Sequence, residues 1–274
     1  MESPTALLSA PGPFGALRVH RSLTLELAKR DVLGRYRGAS FGLLWSLISP
    51  FLMLLVYSFA FGFVMKAKWP PGDQGDVHYS IILFMGLIVH GFFAECLNRA
   101  PVLVTGNVNF VKKVIFPIEI LPWPMVISAL FHTLMNLLVF FALHIVLDHT
   151  ASWTSIFLPV VMLPLVLLTL GVSWFLAALG VYLRDIGQIT GVLATALLFL
   201  SPAMYPIEIL PPQYRWMMMM NPLTFIMDQA REVTLWGHLP NWTGLGIYAA
   251  CALLVMYLGY GAFRVTRRGF ADVI

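Results

Sequence analysis

A cluster of basic residues followed at once by a long uncharged segment constrains this chain more than any other feature of its sequence. Lys29, Arg30, Arg35 and Arg37 lie just before residues 43–65, which carry no charged side chain. At about 1.5 Å per residue, a helix of that length crosses a hydrocarbon core about 30 Å thick. Because Lys and Arg beside a span tend to stay in the cytoplasm, the segment predicts a transmembrane helix that starts inside the cell.

The composition agrees with a chain that is embedded in lipid. Hydrophobic residues make up 59% of it and charged residues only 11%, whereas a soluble domain carries about 25% charged residues. The cations border apolar segments and form no separate basic domain, which argues against nucleic acid as a partner. Cys96 and Cys251 lie in apolar stretches without CxxC spacing, so they indicate neither a disulfide nor a metal site. Residues 1–42 contain no apolar core ahead of a cleavage site, so we expect no removable signal peptide.

Six apolar segments predict an all-α integral membrane protein with six transmembrane helices. They cover residues 43–65, 80–97, 118–147, 156–183, 187–205 and 244–263. With the N-terminus inside, the outer segments hold only four of the 17 Lys and Arg residues, namely Lys66, Lys68, Arg215 and Arg231. This asymmetry predicts that both termini are cytoplasmic. We therefore expect a cytoplasmic N-terminal segment at 1–42, a membrane domain at 43–263 and a cytoplasmic tail at 264–274.

Two regions outside these spans carry helical signals of their own. Leu25, Ala28, Val32 and Tyr36 recur at helical spacing with cations on both sides, a pattern typical of an amphipathic helix that lies along a membrane surface. The loop at 99–117, which is cytoplasmic in this topology, predicts a short helix parallel to the membrane. A soluble partner can bind such an element.

Residues 203–237 are largely apolar, but prolines break them and charged residues interrupt them, among them Arg215, Asp228, Arg231 and Glu232. Asn221 followed by Pro222 is typical of a helix N-cap and first helical position. We expect two short helices, at 212–220 and 222–236, neither long enough to cross a bilayer. Since charges at membrane depth are costly, we interpret them as a re-entrant pair between spans five and six that enters from the outer face.

Five motifs in series resemble one family of membrane proteins. They are RDVLGRYRGASFGLLWSLISP (30–50), KKVIFPIEILP (112–122), YLRDIGQI (182–189), SPAMYPIEILP (201–211) and NPLTFIMDQAR (221–231). In order and spacing the chain resembles the permease subunit of ATP-binding-cassette exporters of bacterial surface polysaccharide, such as O-antigen, capsule and teichoic acid. The resemblance implies a homodimer in the bacterial inner membrane that works with a separate pair of ATPase subunits.

The resemblance also implies roles for particular regions. The N-terminal helix and the first cytoplasmic loop are implied to contact the ATPase, and the re-entrant pair to form the outer part of an exit path for lipid-linked polysaccharide. The implied coupling residues, with the turn after span four added, are Arg30, Asp31, Arg35, Tyr36, Arg37, Asn107, Asn109, Phe110, Lys112, Lys113, Arg184 and Asp185. The implied outer-gate residues are Glu208, Tyr214, Arg215, Trp216, Asp228, Arg231 and Glu232.

Simpler explanations exist for several of the coupling residues. The cations around Arg30 also suit anionic lipid, at about 1 kcal/mol each. An anion such as Asp31 needs another reason to lie at an anionic surface, for example an ion pair with a partner. Arg184 and Asp185 fit an ordinary turn as well as a coupling element.

Aromatic residues of spans one and five form a candidate substrate path. Aromatic faces stack on the apolar faces of sugar rings without demanding one sugar sequence, and binding sites commonly pair aromatic walls with a few polar groups. The candidates are Trp45, Tyr57, Phe61, Phe199 and Tyr205. Packing against lipid and interfacial aromatic belts explains the same residues equally well.

No phosphate-binding loop of the form GxxxxGK[ST] occurs in the chain. If ATP drives the protein, another chain must bind the ATP and Mg²⁺. We therefore expect no cofactor on this chain, and a transport subunit rather than an enzyme. Periplasmic export proteins are a further candidate partner.

Rival functions remain open at this point. GASFG (38–42) matches the GxSxG nucleophile pattern, but a basic helix rather than a strand precedes it, which favours coincidence. His90, His132, His144, Glu95 and Glu119 lie in or near spans, where ionisable groups suggest proton coupling. No HExxH motif or carboxylate pair accompanies them. A drug or lipid exporter is the nearest alternative, followed by an ion-coupled secondary transporter and a membrane enzyme.

Overall fold

A computed structural model describes residues 12–66, 69, 77–111, 116–148 and 152–273. Within these ranges the secondary structure is helical throughout, without strands. Its α-helices are α1 (Pro13–Val19), α2 (Arg21–Arg35), α3 (Trp45–Tyr57), α4 (Tyr79–Arg99), α5 (Val108–Val111), α6 (Pro122–Asp148), α7 (Leu158–Tyr182), α8 (Ile186–Phe199), α9 (Arg215–Met219), α10 (Pro222–Thr234), α11 (Trp242–Thr266) and α12 (Phe270–Val273). The predicted all-α class is thereby confirmed.

Within the described residues, five helical segments are long and apolar enough to cross a membrane. They are Gly42–Val64, Tyr79–Val102, Ile118–Asp148, Trp153–Tyr182 and Trp242–Gly269. They correspond to the first, second, third, fourth and sixth predicted spans, with ends that differ by a few residues. In the first of them a π-helical turn follows α3.

The fifth predicted span, at 187–205, is shorter than the sequence suggested. Its helix α8 has 14 residues and ends at Phe199, which gives a length of about 21 Å. Pro202 disfavours helical geometry at the residue before it. The side-chain amide of Asn221 then donates to the carbonyl oxygens of Leu197 and Leu200, both at 2.9 Å, and so satisfies carbonyls at the end of α8.

Contacts at the two ends of the bundle show that α4 and α6 run in opposite directions, whereas α7 and α11 run in the same direction. At one end of the bundle the backbone N–H of His78, just before α4, donates to the Asp148 carboxylate at the end of α6, 3.1 Å away. At the other end Arg267, just after α11, forms an ion pair with Glu119, just before α6. We term this second end the basic end, because it also holds Arg99, Arg264 and Arg268, and the first end the His78 end.

The core lies between α4, α6, α7, α10 and α11. The most apolar stretch of the second long segment is 72% buried, while that of the first is only 11% buried. Helices α7 and α11 cross closely because Gly171 and Gly259 face each other. The indole N–H of Trp174, in the core, donates to the Glu119 carbonyl oxygen at 2.9 Å. The first segment therefore lies at the edge of the bundle with most of its apolar surface uncovered.

Helix α2 confirms the predicted N-terminal helix, and its apolar stripe divides between two environments. Thr24 and Ala28 are buried where α2 packs against α6. Leu25 and Leu33 are exposed. The helix thus presents one face to the bundle and keeps apolar side chains on another.

The two short helices after α8 are confirmed close to their predicted bounds. Helix α9 follows a 3₁₀ turn at Pro212–Tyr214, and α10 begins at Pro222. The predicted N-cap is also confirmed, because the Asn221 side-chain oxygen accepts a hydrogen bond from the Leu223 backbone N–H at 2.9 Å.

Candidate functional site: a charged junction and a polar groove

A network of charged side chains joins α2 to the long helices at the basic end. Glu95 of α4 accepts hydrogen bonds from Arg35 of α2 at 2.8 Å and from Arg99, one turn along α4, at 3.2 Å. The Nδ1 atom of His132, on α6, lies 3.0 Å from the same carboxylate. Arg99 also pairs with Asp31 of α2 at 2.5 Å. Three helices therefore meet at one carboxylate, which we term the Glu95 junction.

The junction satisfies its own charges. Glu95 is mostly buried and Arg99 is partly buried, and an unpaired charge at the Glu95 position would be costly. Tyr36, at the end of α2, packs its ring edge-on against His132 with centroids 6.0 Å apart. Partial burial raises the pKa of the Tyr36 phenol, with the Arg35 charge opposing the shift and Glu95 adding to it. The phenol therefore stays protonated at neutral pH.

Two clefts meet at the junction. One, of about 620 Å³, lies between α2 and the basic ends of α4 and α6, and is lined by Arg30, Asp31, Gly34, Arg35, Glu95, Asn98, Arg99 and Ser128. The other, of about 430 Å³, lies between α3, α4 and α6, and we term it the polar groove. It is lined by Arg35, Tyr36, Trp45, Ser46, Ser49, Pro50, Met53, Tyr57, Phe84, Leu87, Ile88, His90, Glu95, His132, Asn136 and Leu198. Arg35 and Glu95 line both clefts. Their ion pair therefore separates the two spaces.

The remaining predicted coupling residues occupy several positions. The Arg30 guanidinium lies 5.8 Å from the centre of the Phe110 ring, and the Asn107 amide donates to the Leu103 carbonyl oxygen at 2.9 Å. Arg37 is exposed beyond α2, and Arg184 and Asp185 are exposed in the turn between α7 and α8. Asn109 is in α5, whereas Lys112 and Lys113 lie outside the described residues.

The predicted substrate-path aromatics divide into two groups. Trp45 and Tyr57 line the polar groove, and the Phe61 ring is 6.5 Å from that of Tyr57. Phe199 and Tyr205 are together elsewhere, at the end of α8, where the Tyr205 hydroxyl donates to the Phe199 carbonyl oxygen.

Several polar residues of the groove were not predicted as site residues, although its two histidines were considered for proton coupling. His90, His132 and Asn136 all line it. The His90 imidazole donates to the Ala194 carbonyl oxygen at 2.9 Å and so joins α4 to α8. Their presence in apolar spans was a signal in the sequence, but nothing there indicated that α3 and the two helices bearing them face the same space.

Among the predicted outer-gate residues, Arg231 is the most deeply buried. Its guanidinium donates to the carbonyl oxygens of Ile82 and Ala203, at 3.1 and 3.2 Å. It also lies over the Trp69 ring, 4.7 Å from the ring centre. Asp228 is its nearest carboxylate, at 3.8 Å. Arg231 therefore binds α10 to α4 and to the chain after α8.

The other outer-gate residues lie nearer the surface. Arg215 donates to the carbonyl oxygens of Leu210 and Glu208, at 3.0 and 3.1 Å, which closes the turn before α9. Tyr214 and Trp216 are exposed. Glu232 pairs with His238 at 2.6 Å. Among the predicted outer-gate residues, Arg231 is thus buried in the bundle, and the others form an aromatic and charged surface.

A helical bundle with several membrane-length helices and a basic N-terminal helix held by ion pairs is the architecture of a polytopic membrane protein. The chain belongs to the ABC-2 type transporter family, whose sequence model matches residues 22–235. The match extends from α2 to the end of α10, so it includes the Glu95 junction, the polar groove and Arg231.

Curated relatives are similar over almost their whole lengths. The O-antigen export system permease protein RfbA of Myxococcus xanthus is 26% identical over 257 residues, which cover 93% of this chain and 96% of the relative. RfbA of Klebsiella pneumoniae is 24% identical, with 92% and 95% covered. The polysialic acid transport protein KpsM of Escherichia coli is also 24% identical, with 89% and 93% covered.

Proposed function

We propose that this chain is the membrane subunit of an exporter that moves lipid-linked polysaccharide from the cytoplasm across the bacterial inner membrane. A separate ATPase pair supplies the energy and holds the ATP and Mg²⁺. The relatives' roles in O-antigen export and polysialic acid transport support polysaccharide as the cargo, and the family supports the ATPase as a partner. On this chain we assign transport rather than catalysis.

One observation carries the proposed coupling mechanism: α2 is held by ion pairs to α4 and, through Glu95, to α6. A soluble ATPase that binds α2 and the loop at 99–117 can move α2 when its nucleotide state changes. The Arg35–Glu95 pair separates the two clefts. A movement of α2 that shifts Arg35 therefore changes how the two clefts are connected. Coupling of this kind needs only a docking surface that differs between the two ATPase states.

The proposed topology has six crossings with both termini in the cytoplasm, so that the basic end is the inner end. Helix α8 makes the fifth crossing, and the chain up to Tyr205 adds the length that α8 lacks. Helices α9 and α10 form the re-entrant pair at the outer face. The N-terminal segment 1–42, the membrane domain 43–263 and the tail 264–274 keep the roles expected from the sequence.

A second copy of the chain completes the proposed conduit. The first long segment is the least buried of the five, which suits a position against a partner protomer as well as against lipid. In this arrangement Trp45, Tyr57 and Phe61 lie along the path from one side, and Phe199 and Tyr205 lie near its outer part. Membrane lipid and periplasmic export proteins are further proposed partners.

Reconstitution of the chain with its ATPase in proteoliposomes tests the proposed function. We expect lipid-linked polysaccharide to move only when ATP and the ATPase are both present. A protonophore added at constant ATP should leave transport unchanged. Transport by the chain without the ATPase, or its collapse with the protonophore, would contradict the proposal in favour of a secondary transporter. Transport of a hydrophobic drug but no polysaccharide would favour the drug exporter.

A further inference from the structure

Helix α8 is held to the bundle by little side-chain packing. Of its 14 residues only Thr190 and Ala194 are buried, and both have small side chains. Within the described chain, a Cβ on Gly187 would meet no atom within 4 Å, and one on Gly191 would approach only the Asn98 side chain, at 4.0 Å. The half of α8 nearest the basic end is therefore loosely packed.

Hydrogen bonds from other elements hold α8 at two places. At its C-terminal end the Asn221 side-chain amide donates to the carbonyl oxygens of Leu197 and Leu200. Further back, Nε2 of His90 on α4 lies 2.9 Å from the Ala194 carbonyl oxygen. Because a carbonyl can only accept, Nε2 carries the proton in this contact. One attachment is thus at the end of α8 and the other lies inside it.

The two attachments differ in what it costs to break them. The last carbonyls of a helix have no later N–H of the same helix to bond to, so they depend on Asn221. The Ala194 carbonyl, inside the helix, already accepts the backbone N–H four residues later. His90 lines the polar groove together with His132 and Asn136, so a released imidazole remains among polar groups. The His90–Ala194 bond can therefore break at little cost to either partner.

We propose that His90 is a positioning residue for transport, whose bond to Ala194 is a latch that holds α8 against α4 and opens during the transport cycle. When the latch opens, α8 turns about its Asn221-bound end, and its loosely packed half moves away from Asn98. The inference rests on the proposed function and adds to it the residue that fixes the resting position of α8.

Chemical labelling of a cysteine on α8 measures how often the latch opens. Thr190→Cys places a thiol at a buried position of the loosely packed half, and Cys251→Ala removes the exposed native thiol. In the complete complex with its ATPase, in detergent without nucleotide, His90→Leu should raise the rate of labelling by N-ethylmaleimide about three- to tenfold, because one hydrogen bond is lost. His90→Gln keeps an N–H donor and should restore the parent rate.

Cys96 distinguishes opening of the latch from general loosening of the bundle. This native cysteine is fully buried on α4, so it should stay unlabelled in every variant. Mass spectrometry of the separate peptides reports both positions. Equal labelling at position 190 in the parent and in His90→Leu would overturn the latch. So would a rise at Cys96 that matches the rise at position 190.

A reversible crosslink tests whether transport needs the latch to open. Asn98→Cys combined with Gly191→Cys, with both native cysteines replaced by alanine, places thiols on facing sides of α4 and α8. In proteoliposomes with the ATPase, a bifunctional methanethiosulfonate should stop ATP-driven transport of polysaccharide, and dithiothreitol should restore it. Each single variant should lose no transport on the same treatment. Transport that continues after most of the protein is crosslinked would overturn the inference.

The measurements also distinguish the latch from the proposed function. Labelling needs no cargo, so it tests the hydrogen bond whatever the complex transports. If the parent moves no polysaccharide with ATP, the proposed function fails, and the role of His90 in transport fails with it. Faster labelling in His90→Leu, its reversal in His90→Gln and transport that stops on crosslinking together support the latch.

Discussion

Arg231 occupies a space that only a glycine at position 86 leaves open. A Cβ atom on Gly86 would lie 2.5 Å from Nη2 of Arg231 and 2.9 Å from Cα of Ala203. The absent side chain on α4 therefore makes room for the guanidinium of α10. This contact connects the second long segment, the chain after α8 and the proposed re-entrant pair.

The Gly86→Ala variant should be less stable, because its methyl group collides with Arg231 and with backbone at Ala203. We expect a loss of about 1–3 kcal/mol, as for overpacking of a dense core. Thermal unfolding of the purified protein in detergent measures the change. Gly91→Ala is the matched control on the same helix, since no atom lies within 4 Å of its added Cβ. Equal stability of the two variants would contradict the role assigned to Gly86.

The Gly259→Ala variant should disrupt the crossing of α7 and α11. Its Cβ would collide with the Gly171 carbonyl oxygen, and backbone on both sides cannot move aside as a flexible side chain can. We expect a loss of about 3 kcal/mol or more, seen as low membrane expression and early thermal unfolding. Gly261→Ala, two residues away and facing open space, should behave as the parent protein. Normal expression of Gly259→Ala would show that the crossing is looser than described.

Asn221→Ala should separate the end of α8 from the start of α10. The change removes the N-cap and both hydrogen bonds to the end of α8, so we expect a loss of about 2 kcal/mol. Asn241→Ala is the comparison, because Asn241 caps α11 through the Gly244 N–H at 2.9 Å and should cost about 1 kcal/mol. Thermal unfolding distinguishes the two. A smaller effect at Asn221 than at Asn241 would show that the bonds to α8 contribute nothing.

Arg35→Gln should uncouple ATP hydrolysis from transport. The change removes the ion pair between α2 and Glu95 but keeps a polar side chain at this exposed position, so the complex should still assemble and hydrolyse ATP. We expect transport per ATP to fall about tenfold, measured in proteoliposomes with the ATPase. Lys29→Gln is the matched control, an exposed cation of the same helix that forms no ion pair within the described ranges. Equal transport by both variants would contradict the coupling role of the Glu95 junction.

Both termini should be inaccessible from outside the cell. A cysteine placed at either end of a variant with Cys96 and Cys251 replaced should resist a membrane-impermeant maleimide in intact cells. It should react after the membrane is permeabilised. A cysteine at exposed Trp216 should react without permeabilisation, because α9 lies at the proposed outer face. Labelling of either terminus in intact cells would reverse the proposed orientation of the basic end.

Several elements could be predicted from the sequence because their signals are local. Length and hydropathy predict the five long segments, and the Asn221–Pro222 pair predicts the start of α10 through capping chemistry. The early end of α8 was missed even though Pro202 is visible in the sequence. Apolar residues continue past it to Tyr205, and the hydrogen bonds that satisfy the end of α8 come from Asn221, which is distant along the chain.

The candidate site, like the fold, could be predicted from the sequence only in part. The sequence marked Arg35, Asp31, Trp45 and Tyr57 as residues of interest. It could not show that Asp31 pairs with Arg99, or Arg35 with Glu95. It also gave no sign that Gly86 and Arg231 touch, because they are far apart in sequence and each is ordinary in its own helix. Such pairs depend on how helices pack.

By itself the sequence determined that this is a helical membrane chain with a basic N-terminal helix, because a run of apolar residues and its flanking charges act through water and lipid alone. Only the tertiary structure decided which polar groups meet. It brought Arg35, Arg99 and His132 to Glu95, and it placed the guanidinium of Arg231 against Gly86. The physical reason is that burial makes an unpaired polar group costly, so partners are selected by three-dimensional packing rather than by neighbourhood along the chain.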